Sequence, residues 1–103
     1  MKNTTFDQYR PELEQLCHRY HVRRLELFGS AAIDRGKPGK SDLDFLVEFE
    51  PVAPGTYADT YFGLLEALEQ IFGGPVDLVV ESAIKNPYFR QSVNQSRTLL
   101  YAA

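Results

Sequence analysis

Three aspartates and a glycine–serine pair are the residues of this chain whose types and spacing suit chemistry. The segment from Phe28 to Phe49 reads FGSAAIDRGKPGKSDLDFLVEF and sets Asp42 and Asp44 two positions apart at the head of an apolar, alternating run. On an extended strand such residues share one face, about 6.5–7 Å apart at the backbone, so their carboxylates converge. Left bare they repel, and one tends to keep a proton. A hard divalent cation removes that conflict, because Mg²⁺ prefers one or two carboxylates completed by phosphate oxygens. Asp77, in PVDLVV (75–80), becomes a third carboxylate of the cluster if its strand lies beside the Asp-x-Asp strand. Three such groups can hold two metal ions, which activate an attacking oxygen and stabilise a leaving one. Gly29-Ser30 closes the preceding apolar strand. Backbone N–H groups after a glycine in such a turn cradle phosphates, and a serine hydroxyl adds a donor. An Asp-x-Asp pair alone is weak evidence, since most are solvated; the weight comes from the combination.

Other sites with the same residue types fail on spacing. GKS (39–41) imitates the end of a P-loop, but Asp34 stands where the first glycine is required, and a strand follows in place of a helix. An EF-hand fails because Leu46 and Val47 occupy positions that need a polar ligand and a glycine. His18 and His21 lack a third ligand nearby in the sequence and read as surface residues. Arg35, Lys37 and Lys40 read as solvated loop charges, with Lys40 near enough to the aspartates to touch a phosphate.

Strands and helices must position these groups. A first helix carries Leu13, Leu16, Cys17 and Tyr20 on one face, with Pro11 in its first turn. VRRLELF (22–28) reads as a strand, and so does DLDFLVEF (42–49). In the latter, Leu43, Phe45, Val47 and Phe49 face the core, while Asp42, Asp44, Leu46 and Glu48 face the other way. Thr56 and Asp59 resemble a capping box ahead of a helix with an apolar face of Tyr57, Tyr61, Leu64, Leu65, Leu68, Ile71 and Phe72. Gly73-Gly74 stops that helix. PVDLVV is the third strand, and Asn86-Pro87 opens a final helix bearing Phe89 and Val93. RTLLYA (97–102) suits either a continuation of that helix, with Leu100 on its apolar face, or a short edge strand. The helical crossover makes strands two and three parallel, and the short connection suits an antiparallel first pair. The expectation is an α/β fold: a single small mixed sheet flanked by helices.

At 103 residues the chain reads as one domain, 1–103. A net charge of −3 gives no footprint for broad nucleic-acid binding. The lone Cys17 excludes an intramolecular disulfide and suits a reducing compartment. No secretory leader or membrane-spanning run is visible, so the expectation is a cytoplasmic protein with no membrane partner. Self-association is left open.

The combined pattern, LFGSAAIDRGKPGKSDLDFLVEF with PVDLVV and the closing NPYFRQSVNQSRTLLYA, resembles the minimal nucleotidyltransferases of the DNA polymerase beta superfamily over essentially the whole chain. The resemblance implies the polymerase beta-like nucleotidyltransferase fold. It implies that Gly29 and Ser30 bind the triphosphate of ATP or another NTP, that Asp42 and Asp44 chelate Mg²⁺, and that Asp77 completes a catalytic site for two ions. There are two departures. Eleven residues separate Ser30 from Asp42, where the family most often has ten, and Arg35 falls about two positions later than the arginine many members carry after Gly-Ser. Small members resemble the antitoxin halves of two-gene modules paired with HEPN-domain ribonuclease toxins. By that analogy the chain transfers AMP to a hydroxyl of a HEPN toxin partner. The rival reading is a non-catalytic antitoxin that covers its toxin and keeps a vestigial nucleotide site.

Overall fold

Strict alternation turns Leu43–Phe49 into a strand that is apolar on both faces at its middle, with Asp44 and Glu48 near its two ends on one face. The computed structural model describes residues 8–29 and 43–103, so Phe6, Ser30, Arg35, Lys37, Lys40 and Asp42 lie outside the described residues. The order of elements is α1 (Arg10–Arg19), β1 (Val22–Phe28), β2 (Leu43–Phe49), α2 (Tyr57–Phe72), β3 (Val76–Val80), a 3₁₀ turn (Glu81–Ala83), α3 (Pro87–Ser96) and β4 (Thr98–Ala102). Among the described residues the strands form one sheet in the order β3-β2-β1-β4. β2 and β3 are parallel, because α2 carries the chain back along the sheet between them. β1 runs antiparallel to both β2 and β4, so the sheet is mixed, as expected from the sequence.

The two faces of the sheet are built differently. Leu25, Leu27, Phe45 and Val47 point to one face, where Leu13, Leu16 and Cys17 of α1 and Leu64 and Leu68 of α2 bury them in the main core. Burial, with Glu14 nearby, pushes the Cys17 thiol up to about 12, so it stays protonated and serves as a small apolar residue. On the opposite face α3 contributes Val93 to a smaller cluster with Phe28 and Leu46, flanked by Val79 and Ile84.

The helix ends follow local chemistry with one exception. Asn86 caps α3, its Oδ1 accepting from the Tyr88 N–H at 2.8 Å and the Phe89 N–H at 3.3 Å, and Pro87 fills the first turn. Gly73, at φ 74°, ends α2 in the left-handed conformation. The capping box expected at Thr56 does not form. Thr56 has near-helical angles, and its hydroxyl donates to the Ala53 carbonyl at 2.7 Å, so the side chain tightens the preceding turn in place of capping the helix. The ambiguous RTLLYA segment resolves as a strand. Arg97 is already extended, and β4 pairs with β1, which puts Leu100 in the sheet and not on α3. Pairing with an otherwise open edge supplies ladder hydrogen bonds that five more helical residues would not.

Candidate active site

The site lies at the end of the sheet where β1 finishes and β2 and β3 begin. Asp44 is the second residue of β2 and Asp77 the second of β3, and the two are partners in the parallel register. Partners on adjacent strands stand about 4.8 Å apart and project to the same face. The condition set by the sequence, that the third strand lie beside the second, is therefore met. On its other side Asp44 faces Phe28, the last residue of β1. Asp44 is half-buried and Asp77 is exposed.

Gly29 comes directly after Phe28, at φ 80°. A Cβ built there would lie 2.5 Å from Asp44 Oδ2, closer than any real Cβ contact. Two independent constraints thus select glycine: the left-handed backbone and the carboxylate packed against its α-carbon. The Gly29 N–H donates to Ser96 Oγ at 2.8 Å, so the last residue of α3 holds the end of β1.

A cleft of about 380 Å³ opens beside the two aspartates, with Phe28, Tyr61 and Phe89 among its walls. Its size falls within the range of small-molecule sites. The Tyr61 hydroxyl donates to the Leu78 carbonyl. Burial first, then Tyr57 and the Asp77 carboxylate, raise its pKa and keep it a protonated donor. Phe28 meets Phe89 edge-on, ring centroids 6.0 Å apart, which seats α3 against the end of β1.

Ser30 and Asp42 lie outside the described residues, and among those described no group of three or more His, Cys, Asp or Glu side chains could hold a metal ion. The described part of the expected carboxylate set is the Asp44–Asp77 pair. His18 packs edge-on to Tyr101, ring centroids 6.0 Å apart, and His21 turns the chain between α1 and β1 at φ 59°. Both are remote in the fold from the aspartates, since His21 precedes the opposite end of β1.

A second polar centre on the same face escapes sequence reasoning. Glu26 is buried in mid-strand on β1, 9% exposed, and its Oε1 accepts from Arg97 Nε at 2.7 Å. Arg97 also donates to Glu81 Oε2 at 3.1 Å and to Asn94 Oδ1 at 2.7 Å. Glu81 Oε1 accepts from Arg24 Nη2 at 2.6 Å, and Arg90 lies 3.8 Å from Glu81 Oε2. Burial alone would raise the Glu81 pKa, but hydrogen bonds from Arg24 and Arg97 outweigh it and hold the carboxyl below its ordinary value. One signal was available. Glu26 interrupts an apolar strand, and a buried carboxylate requires a cationic partner. Nothing local identifies that partner, which is 71 residues away.

Residues 12–100 match the nucleotidyltransferase domain family. The chain belongs to that family. As a nucleotidyltransferase it is 38% identical over 81 residues to a candidate protein adenylyltransferase of Methanocaldococcus jannaschii, covering 78% of each chain. A solved candidate minimal nucleotidyltransferase superimposes with a TM-score of 0.71 at 33% identity over 91% of both chains. The solved complex of a tri-AMPylated Shewanella oneidensis HEPN toxin with MNT antitoxin gives a TM-score of 0.64 at 17% identity, covering 96% of this chain and 74% of that one, a likeness of fold. Among the described residues no helix is long and apolar enough to cross a membrane.

Proposed function

We propose that this nucleotidyltransferase moves AMP from ATP to a hydroxyl on a partner protein, a HEPN-domain toxin, and so acts as its antitoxin. The observation that carries the reading is the in-register pair of Asp44 and Asp77, with Asp44 set against the α-carbon of a glycine where a Cβ would meet its carboxylate. The family, the protein adenylyltransferase among its relatives and the fold shared with an AMPylated toxin complex all support it.

The residues fit a hard cation. Asp44 and Asp77 offer only carboxylate oxygens, and the Gly29 α-carbon leaves Asp44 Oδ2 room that a Cβ would occupy. Asp42, Asp44 and Asp77 would hold Mg²⁺, two ions at full occupancy, which when bound supply neutralisation of phosphate charge and polarisation of the α-phosphate. Gly29 and Ser30 hold the triphosphate through the turn that closes β1. Asp77, the more exposed carboxylate, orients the attacking hydroxyl and takes its proton. The hydroxyl oxygen forms a bond to the α-phosphorus, the bond from that phosphorus to the bridging oxygen breaks, and pyrophosphate leaves. Among the described residues the cleft is walled on the side of β1, α2 and α3, and Asp77 beside it is exposed, so few of them would align a small acceptor. A protein acceptor brings its own wall and so provides the missing positioning. We read residues 1–103 as one such domain, working in the cytoplasm, where the lone Cys17 stays reduced.

Incubation of the chain with its HEPN partner, ATP and Mg²⁺ tests this by intact mass. An increment of about 329 Da per AMP, the mass of AMP less water, is expected on the partner and should vanish with the double variant Asp42→Asn, Asp44→Asn. Tight binding by the native chain with no mass change would replace the enzyme with a binding module.

A further inference from the structure

We infer that Ser96 is a positioning residue for nucleotide binding, holding the phosphate-binding turn in shape through the Gly29 backbone. The inference rests on the reading of Gly29 as part of the triphosphate site. Ser96 Oγ accepts the Gly29 N–H at 2.8 Å across 67 residues of sequence. That contact fixes the plane of the Phe28–Gly29 peptide. With φ at 80°, the same plane places the Gly29 carbonyl carbon beyond the end of β1. The Gly29 N–H is therefore engaged by the protein, and it serves the nucleotide by orienting the backbone of the turn.

The neighbours of Ser96 make the anchor rigid. Arg97, the next residue, binds Glu26 on β1 and Glu81 beyond β3. Val93, three residues earlier, packs on Phe28 and Leu46, and Phe89 meets the Phe28 ring. α3 and the residue after it are thus tied to β1 and its end at three levels: ionic at Glu26, apolar at Phe28 and hydrogen-bonded at Gly29. The first two dock the helix. Only the third reaches the turn, so loss of the Ser96 hydroxyl leaves the docking contacts in place and frees the turn alone.

The test is ATP affinity, measured calorimetrically with Mg²⁺ and no acceptor, for the native chain, Ser96→Ala and Ser96→Thr, alongside thermal melts and the exchange rate of the Gly29 amide. Ser96→Ala should raise the Kd by about three- to tenfold, the weight of one hydrogen bond, and speed Gly29 exchange. In transfer assays the KM for ATP should rise by the same factor with kcat changed by less than about twofold. Ser96→Thr keeps the hydroxyl and should restore affinity. If Ser96→Ala melts too low to assay, Ser96→Cys, with a poorer acceptor, should show the same rise. Unchanged affinity in the alanine and cysteine variants, or a threonine variant no better than alanine, overturns the inference and leaves Ser96 a structural residue. A native chain that binds no ATP overturns the nucleotidyltransferase reading, and the inference with it.

Discussion

The two faces of the sheet divide the labour of one strand. Odd-numbered residues of β2 face α1 and α2, where Phe45 and Val47 are fully buried in a continuous apolar core. Even-numbered residues face α3, where a three-residue cluster, an ionic network and the aspartate pair share the surface. The first face is closed mainly by apolar packing, with the Tyr61 hydroxyl tied to the Leu78 carbonyl at its margin. The second is held by a small apolar cluster and specific polar ties. The contrast teaches that stability and chemistry can sit one residue apart in sequence and still be separately mutable, because side chains on a strand alternate.

The largest effect should come from the closed face. Phe45→Ala removes a fully buried ring that touches Phe72 and should cost about 3–5 kcal/mol, seen in denaturant melts. A loss below about 1 kcal/mol would mean that the core tolerates surface-like substitution there and would erase the contrast. Next comes its neighbour. Asp44→Asn should lower AMP transfer about 10²–10³-fold, with stability changed by less than about 1 kcal/mol. A variant that unfolds would make the aspartate structural.

Gly29→Ala sharpens the comparison where the faces meet. It forces a side chain into the left-handed region and against Asp44 Oδ2, so it should cost about 1–2 kcal/mol and displace the carboxylate, lowering transfer more than stability. Wild-type transfer in this variant would show that the carboxylate position is not critical. The smallest effect belongs to the ionic network. The folded pKa of Glu81 lies below its unfolded value, so its contribution is complete above about 4.3 and is lost as pH falls through the folded value. Glu81→Gln should be less stable than the native chain by about 1 kcal/mol at neutral pH, and the two should converge in acid melts. A gap that persists to low pH would assign the effect to packing.

Periodicity accounts for most of the fold that was legible in the sequence. Alternation in β2 and the stripe of α2 are strong local signals, and the crossover length of α2 implied the parallel pairing that brings Asp77 beside Asp44. Where a local pattern had a local competitor, the local pattern did not decide the outcome. Thr56 and Asp59 have capping-box spacing, yet the hydroxyl finds the Ala53 carbonyl first. RTLLYA satisfies two periods over too few residues, and only pairing with β1 decides it. Ser96 and Arg97 carry no pattern at all, because their partners lie 67 and 71 residues away. Ser30 and Asp42, expected members of the site, fall outside the described residues.

The tie between Gly29 and Ser96 also imposes an order on assembly. In chain order β1, β2, Asp44 and Asp77 all precede α3 and β4, so they are synthesised first. The loop closed by this contact spans most of the chain, so it forms late among the tertiary contacts. A chain that has joined α1, β1, β2, α2 and β3 has its main core except for Leu100 of β4 and still lacks the Ser96 tie to Gly29. On the proposed reading of the site, a truncated or half-folded chain would hold Asp44 and Asp77 without the tie that fixes Gly29 beside them.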